Sequence, residues 1–124
     1  DAICATKAAI KEGILPGGGT ALAFAAQQDW EMSLNAGGIL GLAILKDALA
    51  APFTKILQNG GLEPKDYTLD KWGEGIDVTS GSKKIMIDTG IIDPLLVTKS
   101  ALNNAISVAT TILSTDCVIS NVRE

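Results

Sequence analysis

The chain has 124 residues, 47% of them apolar and 4% aromatic, with no histidine; that length suits one domain, and its core must come from Ala, Ile, Leu and Val. The net charge is −4 and the longest basic cluster is Lys83-Lys84, which argues against a nucleic-acid-binding face. Cys4 and Cys117 are too far apart in sequence for a zinc motif or a disulfide scaffold and are expected as reduced thiols, buried or half-buried; the richest apolar run, Ala36 to Leu45, is broken by three glycines and stops at Lys46-Asp47, short of the ~18–20 residues that span a bilayer.

The sequence opens on Asp1 with no methionine and no signal-peptide pattern, and DAICATKAAIK already reads as the middle of a helix. It looks like a piece of something longer. Ile3 and Ile10, seven apart, mark one helical face over residues 2–12, and Gly13 suits the left-handed close of that helix. Then comes ILPGGG. Thr20 leads into ALAFAAQQDWEM, a predicted helix to about Met32. SLNAGG is a loop in which the next helix begins. Residues 39–58 form a long helix, apolar on nearly every face up to Lys46 and therefore expected deep in a core. Pro52 should kink it, and Asn59-Gly60-Gly61 should end it.

Leu62-Glu63-Pro64 predicts a short helix through about Trp72. GEGIDVTSG suits a short strand, Ile76 to Thr79, in a turn-rich region. Lys83 to Asp88 is ambiguous between strand and helix. Asp93-Pro94 has the form of a helix start, with aspartate as N-cap and proline at the first helical position. Leu102, Ala105, Ile106, Ala109, Ile112 and Leu113 then recur at helical spacing. Asp116 to Ser120 suits a closing strand. The fold class is mainly α with a small β element.

Three consecutive glycines, Gly17 to Gly19, need a reason, because each costs a helix interior about 1 kcal/mol relative to alanine. One reading is a tight corner between helices, where backbones come into close contact. The other is an anion or nucleotide site, since a helix N-terminus offers free N–H groups and partial positive charge. A dinucleotide or P-loop motif is excluded because no strand is predicted before the glycines and no GK[ST] follows. Asp93 is explained by capping alone, Asp77 by a turn, and Asp1 by a place on a helix. Composition and periodicity lead no further than a mainly helical domain with a possible ligand corner.

The order of the segments adds more. DAICATKAAIKEGILPGGGTAL, ALAAPFTKILQNGGLEP, GIDVTSG and DTGIIDPLLVTKSALNNAISVATTILSTD together resemble GroEL-type (group I) chaperonins, over essentially the whole chain. GIIDP…VTKSAL favours the bacterial and organellar group. The resemblance implies that residues 1–12 end an intermediate-domain segment and that residues 13–124 form the C-terminal half of an equatorial ATP-binding domain. By motif, Gly18 would contact the nucleotide through its backbone. Asp77, Val78 and Thr79 would line the adenine and ribose side. Ile91 would offer an apolar surface to the base, and Asp93 would accept hydrogen bonds from the ribose hydroxyls. Asp1 matches the catalytic aspartate of DA..AT.AA, which positions or activates the attacking water, as phosphoryl transfer requires.

The implied cofactors are ATP and Mg2+, the latter bound by an aspartate near a GDGTT pattern that these 124 residues do not contain. The implied partners are other chaperonin subunits in a homo-oligomeric ring. Unfolded polypeptides and a co-chaperonin would bind through other parts of such a protein. Neither nucleic acid nor a membrane is expected. The expected location is the cytoplasm or an organelle matrix. An ATP-hydrolysing parent is implied, while these residues alone, with one wall of the site, should show little ATPase activity. The competing view is an assembly module with no nucleotide chemistry, and a third is a stand-alone small-ligand-binding helical protein. DWEMSLNAGGIL, with Trp30 and Met32, departs from the family pattern, as do Trp72 and Lys83-Lys84.

Overall fold

The structure, a computed structural model, describes residues 2–119. It divides into two units: Ile14–Asp93, and a second that joins Asp1–Gly13 to Pro94–Glu124. In the second unit, α1 (Ala2–Glu12) packs along α4 (Leu95–Leu113). Gly13 closes α1 at φ +94°, its N–H donating to the Ala9 carbonyl at 2.8 Å. Lys99 of α4 pairs with Glu12. The helical spacing of α4 is as predicted, but its apolar side is not covered: among the described residues no α4 side chain is buried, and Ile106, Ile112 and Leu113 are exposed. Ile3 and Ile10 are exposed too, and only Ala8 of α1 is buried. Both cysteines are free and exposed rather than buried. Residues 116–119 carry no strand; Ser120 lies outside the described residues.

The unit Ile14–Asp93 runs β1 (Ile14–Pro16), α2 (Thr20–Gln27), α3 (Ala36–Asn59), a 3-10 turn (Pro64–Asp66), β2 (Glu74–Asp77) and β3 (Ser82–Ile85). It ends in β4 (Ile92–Pro94), which pairs with β1. A strand therefore does precede the glycines, although it is only three residues long. The P-loop exclusion now rests on the missing GK[ST] alone.

α2 stops at Gln27, five residues before Met32. Gln28 is extended (φ −71°, ψ 147°), and its carbonyl accepts from Lys46 Nζ at 2.7 Å. Trp30 Nε1 folds back to the Ala25 carbonyl at 3.2 Å, with Lys46 Nζ 5.9 Å from the Trp30 ring centre. The cation thus satisfies the helix end, where carbonyls lack partners.

α3 starts at Ala36, inside SLNAGG as predicted, where Asn35 caps it through a 2.8 Å bond from the Gly38 N–H. The helix runs unbroken through Pro52. Its N-terminal half is not a core: Ile39, Leu40 and Ile44 are 61%, 64% and 62% exposed. Only Leu49, Phe53 and Leu57 are buried. By length and composition α3 does reach what a membrane crossing requires, contrary to the run-length expectation, because Lys46 and Asp47 are the only charges in its first eighteen residues. Phe53 and Leu57 instead join Ala23, Leu69 and Ile76 in the core, with Phe24, Leu62, Tyr67 and Val78 packed around them.

The helix predicted from Leu62 to Trp72 reduces to the 3-10 turn, after which Tyr67 turns extended (φ −123°, ψ 126°). Trp72 lies edge-on to Phe24, ring centres 5.6 Å apart. The predicted strand shifts two residues back, so that Thr79 lies in a turn. Ser82–Ile85 resolves as the partner strand, with Gly75 opposite Lys84 and Asp77 opposite Ser82.

Candidate nucleotide site

The triple glycine is a corner whose outer two members are explained by contact within the protein. The Gly17 N–H donates to the Ile91 carbonyl at 2.9 Å, and a Cβ there would lie 2.9 Å from the Ile91 carbonyl carbon. Gly19 caps α2 in the left-handed conformation, φ +73°. A Cβ on it would lie 2.7 Å from the Phe53 nitrogen and 3.1 Å from the Pro52 carbonyl carbon, so the backbone of α3 passes directly against the corner. Gly18, φ +70°, differs. A Cβ there would meet only side chains, Met86 at 3.2 Å and Thr20 at 3.8 Å. Among the described residues, the N–H groups of Gly18 and Gly19 have no protein acceptor. Thr20, 0% exposed, has a hydroxyl without a hydrogen-bond partner among them.

Ile91 joins this corner through the Gly17 bond, and its own N–H donates to the Met86 carbonyl at 2.9 Å. Asp93 follows two residues on, in β4, half-buried. It does not cap α4. Pro94 occupies the N-cap position with no side-chain bond, and the helix begins at Leu95. Proline's fixed φ suits either side of a helix start, and here the strand pairing extends through Pro94. The Asp93 carboxylate has no hydrogen-bond or ion-pair partner among the described residues. Burial alone pushes its pKa above the ordinary carboxylate value.

Asp77, Val78 and Thr79 form a second group, at the tip of the β2–β3 hairpin. The Asp77 carboxylate accepts the Thr79 N–H at 3.0 Å, the Ser80 hydroxyl at 3.0 Å and Lys84 Nζ at 2.6 Å. The Lys84 bond, then the Thr79 and Ser80 bonds, hold its pKa far below the ordinary value. Its acceptor capacity is therefore used internally, to shape the turn. Val78 packs into the core, close to where a Gly60 Cβ would be (3.0 Å). Thr79 is exposed. Lys83, the other unusual cation, pairs with Asp70 at 2.6 Å and lies 4.0 Å from Glu74. No hydrogen bond among the described residues joins the hairpin tip to the corner. Asp1 lies outside the described residues.

Sequence reasoning missed three residues behind the corner, Thr20, Gly75 and Met86. The only available signal was the glycine inside the strand pattern, GEGID, which marks a close approach. It also missed an open groove of about 410 Å³ between α2, α3 and the 3-10 turn, lined by Ala23, Ala26, Lys46, Asp47, Phe53 and Tyr67 among others. None of the expected site residues lines it. No cluster suited to a metal ion occurs among the described residues.

The pattern that defines the TCP-1/cpn60 chaperonin family matches residues 1–123. This chain belongs to that family. It is 44% identical to the chloroplastic chaperonin GroEL of Cyanidium caldarium, over 98% of this chain and 24% of that protein. A crystal structure of a group III chaperonin in the open state superimposes with a TM-score of 0.81 at 27% identity, over 90% of this chain and 25% of that one. The chain thus spans about a quarter of the length of these two chaperonins. The helical fold with a small β element is a chaperonin fold.

Proposed function

We propose that this chain contributes one wall of an ATP site in a chaperonin that assists the folding of other polypeptides. The single observation that carries the reading is the joining of the Gly17–Gly19 corner to the Ile91–Asp93 segment by the Gly17–Ile91 bond. That bond joins two short segments of backbone, one with two N–H groups and the other with a half-buried carboxylate that have no partner among the described residues. The residues suit the ligand. Left-handed Gly18 and Gly19 leave amides free at a helix start, which favours anionic phosphate oxygens. Asp93 has no donor among the described residues, and ribose hydroxyls are donors. Ile91 is half-buried and offers an apolar surface to a base.

Within this reading Asp77 is structural. It folds the hairpin tip so that Val78 is held against the core and Thr79 is exposed on a fixed turn. When bound, ATP with Mg2+ supplies the phosphoryl group; this chain binds and orients it. Asp1 is assigned the task of orienting the attacking water. Other chaperonin subunits are the expected partners, in a ring, in the cytoplasm or an organelle matrix. Isothermal titration with ADP tests the reading on the longest natural chain that contains these residues. Micromolar binding that weakens in Asp93→Ala supports it, and binding unchanged in Asp93→Ala overturns it.

The assembly reading is favoured by a separate observation, the exposed Ile39, Leu40 and Ile44 on α3. Apolar surface of that kind marks an interaction face. The two roles are compatible, because they use different surfaces of the Ile14–Asp93 unit.

A further inference from the structure

One residue contacts the glycine corner, the entry to β2 and the Ile91 segment, through its side chain and its backbone. Met86 follows β3 and is 1% exposed. Its N–H donates to the Gly73 carbonyl at 2.9 Å, at the entry to β2, and its carbonyl accepts the Ile91 N–H at 2.9 Å. Its side chain fills the space that two glycines leave. The terminal methyl lies 3.2 Å from the Cβ position of Gly18, and Cγ lies 2.5 Å from that of Gly75. Thr20 closes the same space, its hydroxyl 2.6 Å from the Gly75 Cβ position. The corner, the Ile91 segment and the strand that leads to Asp77 therefore have Met86 in common. An unbranched side chain with three rotatable bonds fills such an irregular gap. A close-packed interior then transmits any displacement across it.

We infer that Met86 is a positioning residue for the nucleotide site: its side chain sets the spacing between Gly18 and β2 while its carbonyl holds Ile91. This rests on the nucleotide reading above. Met86 acts through Gly18 and Ile91. Truncating it lets the corner slacken toward β2. Adding a Cβ at Gly75 forces the two apart. The perturbations are opposite in volume at Met86, so together they should compensate in part, the contact of the Gly75 Cβ with the Thr20 hydroxyl remaining.

The test is ADP titration of the longest natural chain that contains these residues, at a temperature where circular dichroism shows every variant folded. Met86→Ala and Gly75→Ala should each weaken ADP binding by about tenfold or more, the scale of an ångström-sized misplacement. Met86→Leu should stay within about threefold, as a volume-conserving change does. The double variant Gly75→Ala/Met86→Ala should bind more tightly than either single one. Leu49→Ala, a buried α3 change at a residue outside these contacts, controls for stability alone and should lower the denaturation midpoint with affinity unchanged. The inference is overturned if both single variants bind like wild type, if Leu49→Ala weakens binding equally, or if the double variant is the weakest. Wild-type protein that binds no ADP overturns the nucleotide reading and the inference together, whereas tight wild-type binding with unaffected variants overturns the inference alone.

Discussion

Replacing Gly19 with alanine tests the corner most sharply, because two costs combine there. The left-handed backbone, φ +73°, costs an L-residue about 1–2 kcal/mol. The new Cβ would also sit 2.7 Å from the Phe53 nitrogen and 2.9 Å from its Cα. Backbone in the middle of α3 yields poorly, and overpacking of this kind costs about 1–3 kcal/mol. The sum, about 2–5 kcal/mol, is a large share of the roughly 5–15 kcal/mol that holds a domain together. Two companions separate the terms. Gly90→Ala has the strain (φ +76°) with nothing within 4 Å among the described residues, and should cost about 1–2 kcal/mol. Gly17→Ala has the contact at 2.9 Å without a left-handed backbone, and should cost about 1–3 kcal/mol. Urea denaturation of the three variants gives the values from midpoint shifts at constant slope. A Gly19→Ala loss no larger than that of Gly90→Ala would refute the claim that α3 presses on the corner.

Asp93→Ala should leave stability unchanged or slightly higher at neutral pH. Loss of a helix cap would instead cost about 1 kcal/mol, so thermal melts distinguish the two. The sign follows from burial: a carboxylate whose folded pKa is raised binds protons more readily when folded, so its ionisation lowers stability as pH rises through that window. Asp77 behaves oppositely. Its folded pKa is depressed, so its contribution is complete above the ordinary carboxylate value near 4 and is lost as pH falls below it; Asp77→Asn should accelerate hydrogen exchange at the Thr79 N–H and remove that acid dependence. Leu40→Ser with Ile44→Ser should reduce self-association of the chain in light scattering; unchanged scattering would count against an interaction face on α3.

What the sequence made legible was local. The long helix at 95–113, the glycine close at Gly13 and the stop at Asn59-Gly60-Gly61 follow from spacing and backbone permissiveness, which neighbours in sequence decide. The misses follow from partners distant in sequence. α2 ends at Gln27 because Lys46, eighteen residues on, takes the Gln28 carbonyl. The apolar half of α3 looked like core, yet periodicity cannot say what covers a face. Asp93-Pro94 carries a cap signature that pairing with β1 overrides. At the site, the glycine motif and Asp93 were legible as candidates. That Asp77 spends its carboxylate on Lys84, and that Met86 lies behind Gly18, depends on hairpin register and could not be read from spacing.

Photolabelling with 8-azido-ADP on the longest natural chain that contains these residues, followed by peptide mapping, tests most directly whether the corner and the Ile91–Asp93 segment clasp one nucleotide. Label in the peptide that carries Met86 to Asp93, competed away by ADP, is the expected result. Specific label confined to the α2–α3 groove, at Lys46 or Tyr67, would contradict it.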